Sequence, residues 1–114
     1  MSLSLYGGGS PASVAERIQK HVSESALSCE IVGYKRRTFG GGEMHFIVFE
    51  KYFMRTSSRA SLSVVVSGRD GEVYVDAYGS GGGTGTFMRF SWGAEDSFED
   101  EVRSALAPLG FREI

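Results

Sequence analysis

The glycine-rich segment at residues 79–85, GSGGGTG, is the stretch whose composition comes closest to a binding motif. Successive backbone N–H groups in such a loop can cradle a phosphate or another anion. The segment joins two strand-like runs, however, and neither GxxxxGK[ST] nor GxGxxG occurs, so no helix N-terminus completes an anion site. A simple hairpin loop is therefore the favoured interpretation. If the loop did bind a ligand or anion, the contacting residues would be Ser80, Gly81, Gly82, Gly83 and Thr84.

Histidine and cysteine, the residues most often used in catalysis and metal binding, are few and scattered. His21 and His45 are the two histidines, and Cys29 is the single cysteine. No GxSxG, CxxC, HExxH or DxDxDG spacing is present, and a Ser-His-acid triad has few possible bases. The sequence thus indicates no catalytic residue, no metal site and no cofactor, and it favours a non-catalytic protein.

Composition and charge describe one folded domain without a strong charge bias. The chain has 114 residues, 41% of them hydrophobic, and a net charge of −2. This length is enough for one core, so we predict a single domain over residues 1–114. A weakly acidic chain binds phosphate backbones poorly, and the basic run at 35–37 is short, so no nucleic-acid partner is expected.

The expected location follows from three further features of the sequence. A single cysteine allows no internal disulfide, which fits a reducing compartment. No stretch approaches the ~20 apolar residues of a membrane span. The N-terminus lacks the charged and apolar regions of a signal peptide. We therefore expect a cytoplasmic protein without a membrane partner.

Strand-like runs fill the middle of the chain, residues 43–92. Four runs are rich in β-branched and aromatic residues, namely EMHFIVFEKYFM, ASLSVVV, EVYVDAY and TFMRFSW. A glycine-containing turn at 68–71 separates the second run from the third. Two further strands are predicted at 2–6 and 27–39, the second with a bulge at Gly33 and a glycine turn at 40–42 after it. The pattern is typical of an antiparallel meander.

Two amphipathic helices flank these runs. The first is predicted from Ser10, as N-cap with Pro11 at the first helical position, to about Ser25. The second is predicted to begin at Asp96 or Ser97. The apolar stripes are Val14, Ile18 and Val22 on the first helix and Val102, Leu106 and Leu109 on the second, with Gly110 as a left-handed C-cap.

The hairpin loop at 68–71 predicts how the central strands pair. Centring the turn there sets 66 opposite 73 and 64 opposite 75. One face then carries Leu62, Val64, Val66, Val73, Val75 and Ala77. Extending this face to the last run adds Met88, Phe90 and Trp92, with 77 opposite 88 and 75 opposite 90.

The reverse face of the same strands is polar but carries several aromatic residues. Aromatic residues and arginine are enriched at interfaces, whereas a solvated sheet face usually carries more Lys, Glu and Thr. In the predicted register Asp76 lies directly opposite Arg89. The residues of this possible interface are Val65, Tyr74, Asp76, Tyr78, Phe87 and Arg89.

Three stretches, FEKYFMR, SLSVVVSGRDGEVYVDAYGSGGG and FSWGAEDSFEDEV, resemble a family of small uncharacterised bacterial proteins, a domain of unknown function. The resemblance covers nearly the whole chain, and it implies no catalytic residue because the family has no established activity. The matching features are the Glu50-Lys51-Tyr52 strand, the Ser61-Leu62 strand, the Ser80-Gly81-Gly82 loop and Gly93-Ala94-Glu95. In topology alone, the element order is also similar to the helix-grip and TATA-binding-protein-like folds.

Together these patterns predict an α+β domain of order β-α-β-β-β-β-β-α. A curved antiparallel sheet of five or six strands would hold both helices on its apolar face, since two layers bury two amphipathic helices most simply. The preferred function is that of an interaction protein, a homo-oligomer that self-associates through the outer sheet face. The alternative is a binding module for a small, partly apolar ligand, held between sheet and helices or at the glycine-rich loop.

Overall fold

A computed structural model describes residues 2–25, 28–53, 57–81 and 92–114 of the chain. Within these residues it confirms the α+β class, with two α-helices and one antiparallel sheet of six strands. The elements are β1 (Ser2–Gly7), α1 (Pro11–Ser23), β2 (Cys29–Phe39), β3 (Gly42–Phe53), β4 (Ser58–Arg69), β5 (Glu72–Gly81), α2 (Trp92–Leu106), a short 3₁₀ helix (Ala107–Leu109) and β6 (Arg112–Glu113).

The strands lie in the order β2-β3-β4-β5-β1-β6, so β1 lies beside β5 and not at an outer edge. Leu3 pairs with Ala77 and Leu5 pairs with Val75. The predicted neighbours of 77 and 75, residues 88 and 90, were therefore wrong, because β1 occupies that side of β5. Residues 88 and 90 themselves lie outside the described part of the chain. Trp92 was assigned to a strand, whereas it begins α2.

The β4–β5 hairpin has the predicted inner face but a different register. Val66 lies opposite Val75, and Val64 opposite Ala77, two residues away from the predicted pairs. The turn is tighter than assumed, because Arg69 pairs with Glu72 and only Asp70 and Gly71 remain between the strands. A shift of two residues returns every side chain to the same face, so the face was right although the pairs were wrong.

Both helices pack on this inner face. The predicted stripe of α1 is confirmed, with Val14, Ile18 and Val22 at most 1% exposed. Ser10 caps the helix, since its hydroxyl accepts a hydrogen bond from the Ser13 N–H at 3.2 Å. The core that the helices form with the sheet consists of Leu3, Leu5, Val14, Ala15, Ile18, Val22, Cys29, Ile47, Phe49, Ala60, Leu62, Val64, Val66, Val73, Val75, Ala77, Phe98, Val102, Ala105 and Leu106.

The second helix differs from its prediction at both ends. It begins at Trp92, four residues before the expected cap at Asp96. Beyond Leu106 the backbone tightens into the 3₁₀ helix that contains Pro108, which leaves Leu109 half-exposed instead of in the stripe. Gly110 ends this turn in the left-handed conformation, as predicted, with a φ of 83°. In the described segments neither helix combines the length and apolar character that crossing a bilayer requires.

Candidate functional site

The outer face of the sheet, opposite the helices, is the surface on which the predicted interface residues fall. Cross-strand partners share a face, so three rows run across it from β2 to β5. The rows are Arg37-Met44-Ser67-Tyr74, Lys35-Phe46-Val65-Asp76 and Gly33-Val48-Ser63-Tyr78. We call these twelve residues the outer-face rows.

The structure brings Val65, Tyr74, Asp76 and Tyr78 together on this face. Phe46, Tyr74 and Tyr78 are 37%, 44% and 63% exposed, which is high for large apolar or aromatic side chains. Phe87 and Arg89, the other two predicted interface residues, lie outside the described segments.

The predicted pairing of Asp76 with Arg89 directly opposite is wrong. The strand neighbours of Asp76 are Val65 on β4 and Ser4 on β1. The Ser4 hydroxyl donates a hydrogen bond of 2.7 Å to the Asp76 carboxylate. One oxygen of Asp76 is thus bound within the chain by a neutral donor.

The first residues of the glycine-rich segment do not lie in a loop. Ser80 and Gly81 belong to β5, where they pair with Ser61 and Ala60 of β4. Their backbone lies in the sheet, which corrects their assignment to a connecting loop. The remaining candidates, Gly82, Gly83 and Thr84, lie outside the described residues.

A chain of hydrogen-bonded side chains that sequence reasoning missed lies on the inner face of β2 and β3. The Tyr34 hydroxyl is 2.6 Å from Nδ1 of His45, and Nε2 of His45 is 2.7 Å from Oε1 of Glu43. Arg36 donates to the same carboxylate oxygen from its Nε at 3.2 Å. His45 is only 3% exposed, whereas Tyr34 is 44% exposed.

The direction of these hydrogen bonds follows from the chemistry of the carboxylate. The hydrogen bond from His45, joined by the charge of Arg36, lowers the pKa of Glu43 from its ordinary value of 4.5. At neutral pH Glu43 is therefore ionised and accepts only, so Nε2 of His45 carries a hydrogen. In the neutral imidazole Nδ1 is then an acceptor, and the Tyr34 hydroxyl donates to it.

A cavity of about 380 Å³ adjoins this chain at the tips of the two hairpins. Of the hydrogen-bonded chain it reaches Glu43 alone. Its lining residues are Pro11, Gly41, Gly42, Glu43, Gly68, Arg69 and Asp70. The cavity is thus lined by Glu43, at one end of the hydrogen-bonded chain, and not by Tyr34 at the other end.

Cys29 and the titratable residues of the described segments add no second reactive site. Cys29 is 7% exposed, and burial raises the pKa of its thiol, which disfavours the nucleophilic thiolate. Among the described residues no three His, Cys, Asp or Glu side chains are grouped closely enough to hold a metal ion.

One sequence signal could have revealed the hydrogen-bonded chain. Glu43 and His45 are two residues apart in a strand, as are Tyr34 and Arg36, and alternation puts each pair on one face. The β2–β3 hairpin then pairs Arg36 with His45 and Tyr34 with Ile47. Predicting this register requires the tight turn at Gly40 and Gly41.

Comparison with known proteins gives one match. A family model described as a family of unknown function (DUF6054) matches residues 2–110. No curated protein and no solved structure matches. The resemblance seen in the sequence is thereby confirmed at the level of the family, while its bacterial distribution and its likeness to helix-grip folds stay predictions. The chain belongs to DUF6054, a family of unknown function.

Proposed function

We propose that this protein acts by self-association, with two copies stacking their sheets through the outer-face rows. One observation carries the proposal. Large apolar and aromatic side chains occupy a sheet face opposite both described helices, which pack on the inner face. Such residues are enriched at the centres of interfaces.

The rows are self-complementary about one axis. A two-fold axis parallel to the strands, between β3 and β4, turns each row onto itself in reverse. In the middle row, Lys35 then lies over the partner's Asp76 and Phe46 over the partner's Val65. A cation meets a carboxylate at each end of the row, and apolar side chains meet between them.

The first and third of the outer-face rows support the same axis. Arg37 falls over the partner's Tyr74, where a guanidinium can stack on an aromatic ring. Gly33 falls over the partner's Tyr78, the most exposed of these tyrosines, so the largest protruding ring faces a residue without a side chain. Within the described segments no carboxylate forms an ion pair with Lys35 or Arg37.

The size of the contact sets the expected affinity. The three rows span five residues on each of four strands, which at a strand spacing of ~4.8 Å and ~3.4 Å per residue cover roughly 330 Å² on each copy. The total of roughly 650 Å² is in the range of weak, transient interfaces. We therefore expect a reversible dimer with a Kd on the order of 100 µM.

Sedimentation velocity from about 1 µM to about 500 µM tests the proposal. The sedimentation coefficient should rise with concentration for the parent, and the Tyr74→Glu, Tyr78→Glu double variant should stay monomeric. Leu109→Glu is the matched control, because Leu109 is 48% exposed on the 3₁₀ helix after α2 and off the outer-face rows. A monomeric parent throughout this range, or a double variant that associates like the parent, contradicts the proposal.

The alternative prediction is a small apolar ligand between sheet and helices. The core side chains there form one cluster and are at most 7% exposed. A cavity at the edge of this core, lined by Leu5, Arg103, Leu106, Ala107, Phe111 and Glu113, has a volume of about 220 Å³, which is smaller than the ~300 Å³ or more of a typical ligand pocket. The version of this prediction that uses the loop at 82–84 concerns residues outside the described segments.

A further inference from the structure

The hydrogen-bonded chain from Glu43 through His45 to Tyr34 has the polarity of a base-activated nucleophile. A carboxylate accepts from one imidazole nitrogen, and the other nitrogen accepts from a hydroxyl. The same order of groups activates serine and cysteine nucleophiles, because the imidazole removes the hydroxyl or thiol proton as the attack proceeds. Here the hydroxyl belongs to a phenol.

In such a site the nucleophile must be exposed and the base must be buried, and Tyr34 and His45 meet both requirements. Tyr34 lies on β2, the edge strand of the described sheet, and is 44% exposed, so a small electrophile can reach it. His45 is 3% exposed and holds hydrogen bonds at both nitrogens. The base is therefore fixed in orientation while the nucleophile remains accessible.

We propose that Tyr34 is a nucleophilic site that accepts acyl groups from activated esters or thioesters, with His45 as its general base and Glu43 as the positioning residue. The phenolic proton passes to Nδ1 of His45 while Oη bonds to the acyl carbon. The bond from that carbon to the leaving oxygen or sulfur breaks with its electron pair. The leaving group takes up the proton from His45, and Tyr34 is left as an aryl ester.

Acetylation by p-nitrophenyl acetate in mildly alkaline buffer tests the proposal. Peptide mass spectrometry gives the rate at each tyrosine. Tyr74 is an internal control, since it is equally exposed at 44% and its described ring contact is Tyr6 instead of a histidine. We expect Tyr34 to react at least about tenfold faster than Tyr74, in line with the contribution of a general base.

Variants separate the roles of the three residues. Tyr34→Phe should remove the fast acetylation, and His45→Gln should slow Tyr34 to the rate of Tyr74. Glu43→Gln should slow Tyr34 without changing Tyr74, and Glu43→Asp, which restores the charge, should recover part of the loss. The Tyr34-to-Tyr74 ratio is measured within one molecule, so a general loosening of the fold does not imitate the effect.

The parent alone is sufficient to overturn the proposal, even if His45→Gln does not fold. Acetylation of Tyr34 at the rate of Tyr74 or below, in the folded parent, shows that the hydrogen-bonded chain is only structural. A folded His45→Gln variant whose Tyr34 reacts as fast as in the parent has the same meaning. The reaction is run at about 1 µM protein, where the dimer proposed above is dissociated and does not cover Tyr74, so these outcomes are independent of self-association. Tyr34 itself lies on the face opposite the outer-face rows.

Discussion

Lys35 and Asp76 stand at the two ends of one cross-strand row on the outer face, with Phe46 and Val65 between them. Three strand spacings of ~4.8 Å put them about 14 Å apart, too far to pair within one copy. The same separation makes them meet across a two-fold axis through the middle of the row. An attraction that one chain cannot satisfy is thus available to two.

This relationship predicts a charge-swap result. Lys35→Glu alone places two carboxylates together across the axis, and Asp76→Lys alone places two cations together, so each should weaken the dimer. The double variant restores opposite charges and should recover most of the affinity. Sedimentation velocity at matched concentrations measures all four proteins, and the differences should shrink as salt is added.

The proposed axis is contradicted if the losses of affinity of the two single variants simply add in the double variant. If the double variant associates as poorly as the two single losses combined, Lys35 and Asp76 do not meet in the dimer. Arg59→Glu serves as the charge control, because Arg59 pairs with Glu50 outside the three rows.

The two faces of β3 should respond differently to truncation. Phe49→Ala removes a fully buried ring from the core and should lower the free energy of unfolding by about 3–5 kcal/mol. Phe46→Ala, three residues away on the outer face and 37% exposed, should cost less than half as much in the monomer. Urea unfolding at about 1 µM, below the expected Kd, compares them. Equal losses would mean that the outer face is as closely packed as the core.

The β4–β5 hairpin offers a matched pair of glycines. Gly71 has a φ of 88° and open space around it, so Gly71→Ala should cost about 1–2 kcal/mol for the left-handed backbone alone. At Gly68, with a φ of 133°, an added Cβ would lie 2.0 Å from the Glu72 carbonyl oxygen. Gly68→Ala should therefore cost about 3 kcal/mol or more. Thermal or urea unfolding of both variants provides the test, and a reversed order would contradict this turn geometry.

Glu43 should titrate below its ordinary pKa of 4.5 in the folded protein, mainly because His45 hydrogen-bonds to its carboxylate. A folded pKa below the unfolded one means that this stabilisation is fully present above about pH 4.5 and is lost as the pH falls through the folded value. Carboxyl NMR titration measures the pKa directly. In His45→Gln the pKa of Glu43 should rise, because the hydrogen bond from His45 is the largest cause that lowers it. An unchanged pKa in that variant would rule out the hydrogen bond as its main cause.

The register of the central hairpin marks the limit of what periodicity can predict. Alternation identified the buried face through Leu62, Val64 and Val75, since a slip by one residue would expose them all. A slip by two keeps the same face, so alternation could not choose between Val73 and Val75 as the partner of Val66. The choice depends on the turn, where Asp70 and Gly71 close the loop without Gly68.

Pairing between strands distant in sequence is harder still to predict. Nothing in Leu3 or Leu5 specifies that β1 pairs with β5, because any strand with the same alternation fits that edge equally well. The predicted strand at 86–92 was such a competitor. The Tyr34–His45 contact was missed for a related reason, since it appears only when the β2–β3 pairing is known from the turn at Gly40 and Gly41.

Because β1 lies between β5 and β6, it cannot pair within its own chain until these later strands have been synthesised. Ser4 and Asp76, which hydrogen-bond across β1 and β5, are 72 residues apart in sequence. At ~5–20 residues per second, a ribosome needs about 4–15 s to make β5 after β1. During that interval β2, β3 and β4 can pair with one another, while β1 has no partner strand in its own chain. On a polysome, the newly made β5 edge of one nascent chain is open to the waiting β1 of its neighbour, which gives a kinetic route to strand-exchanged dimers.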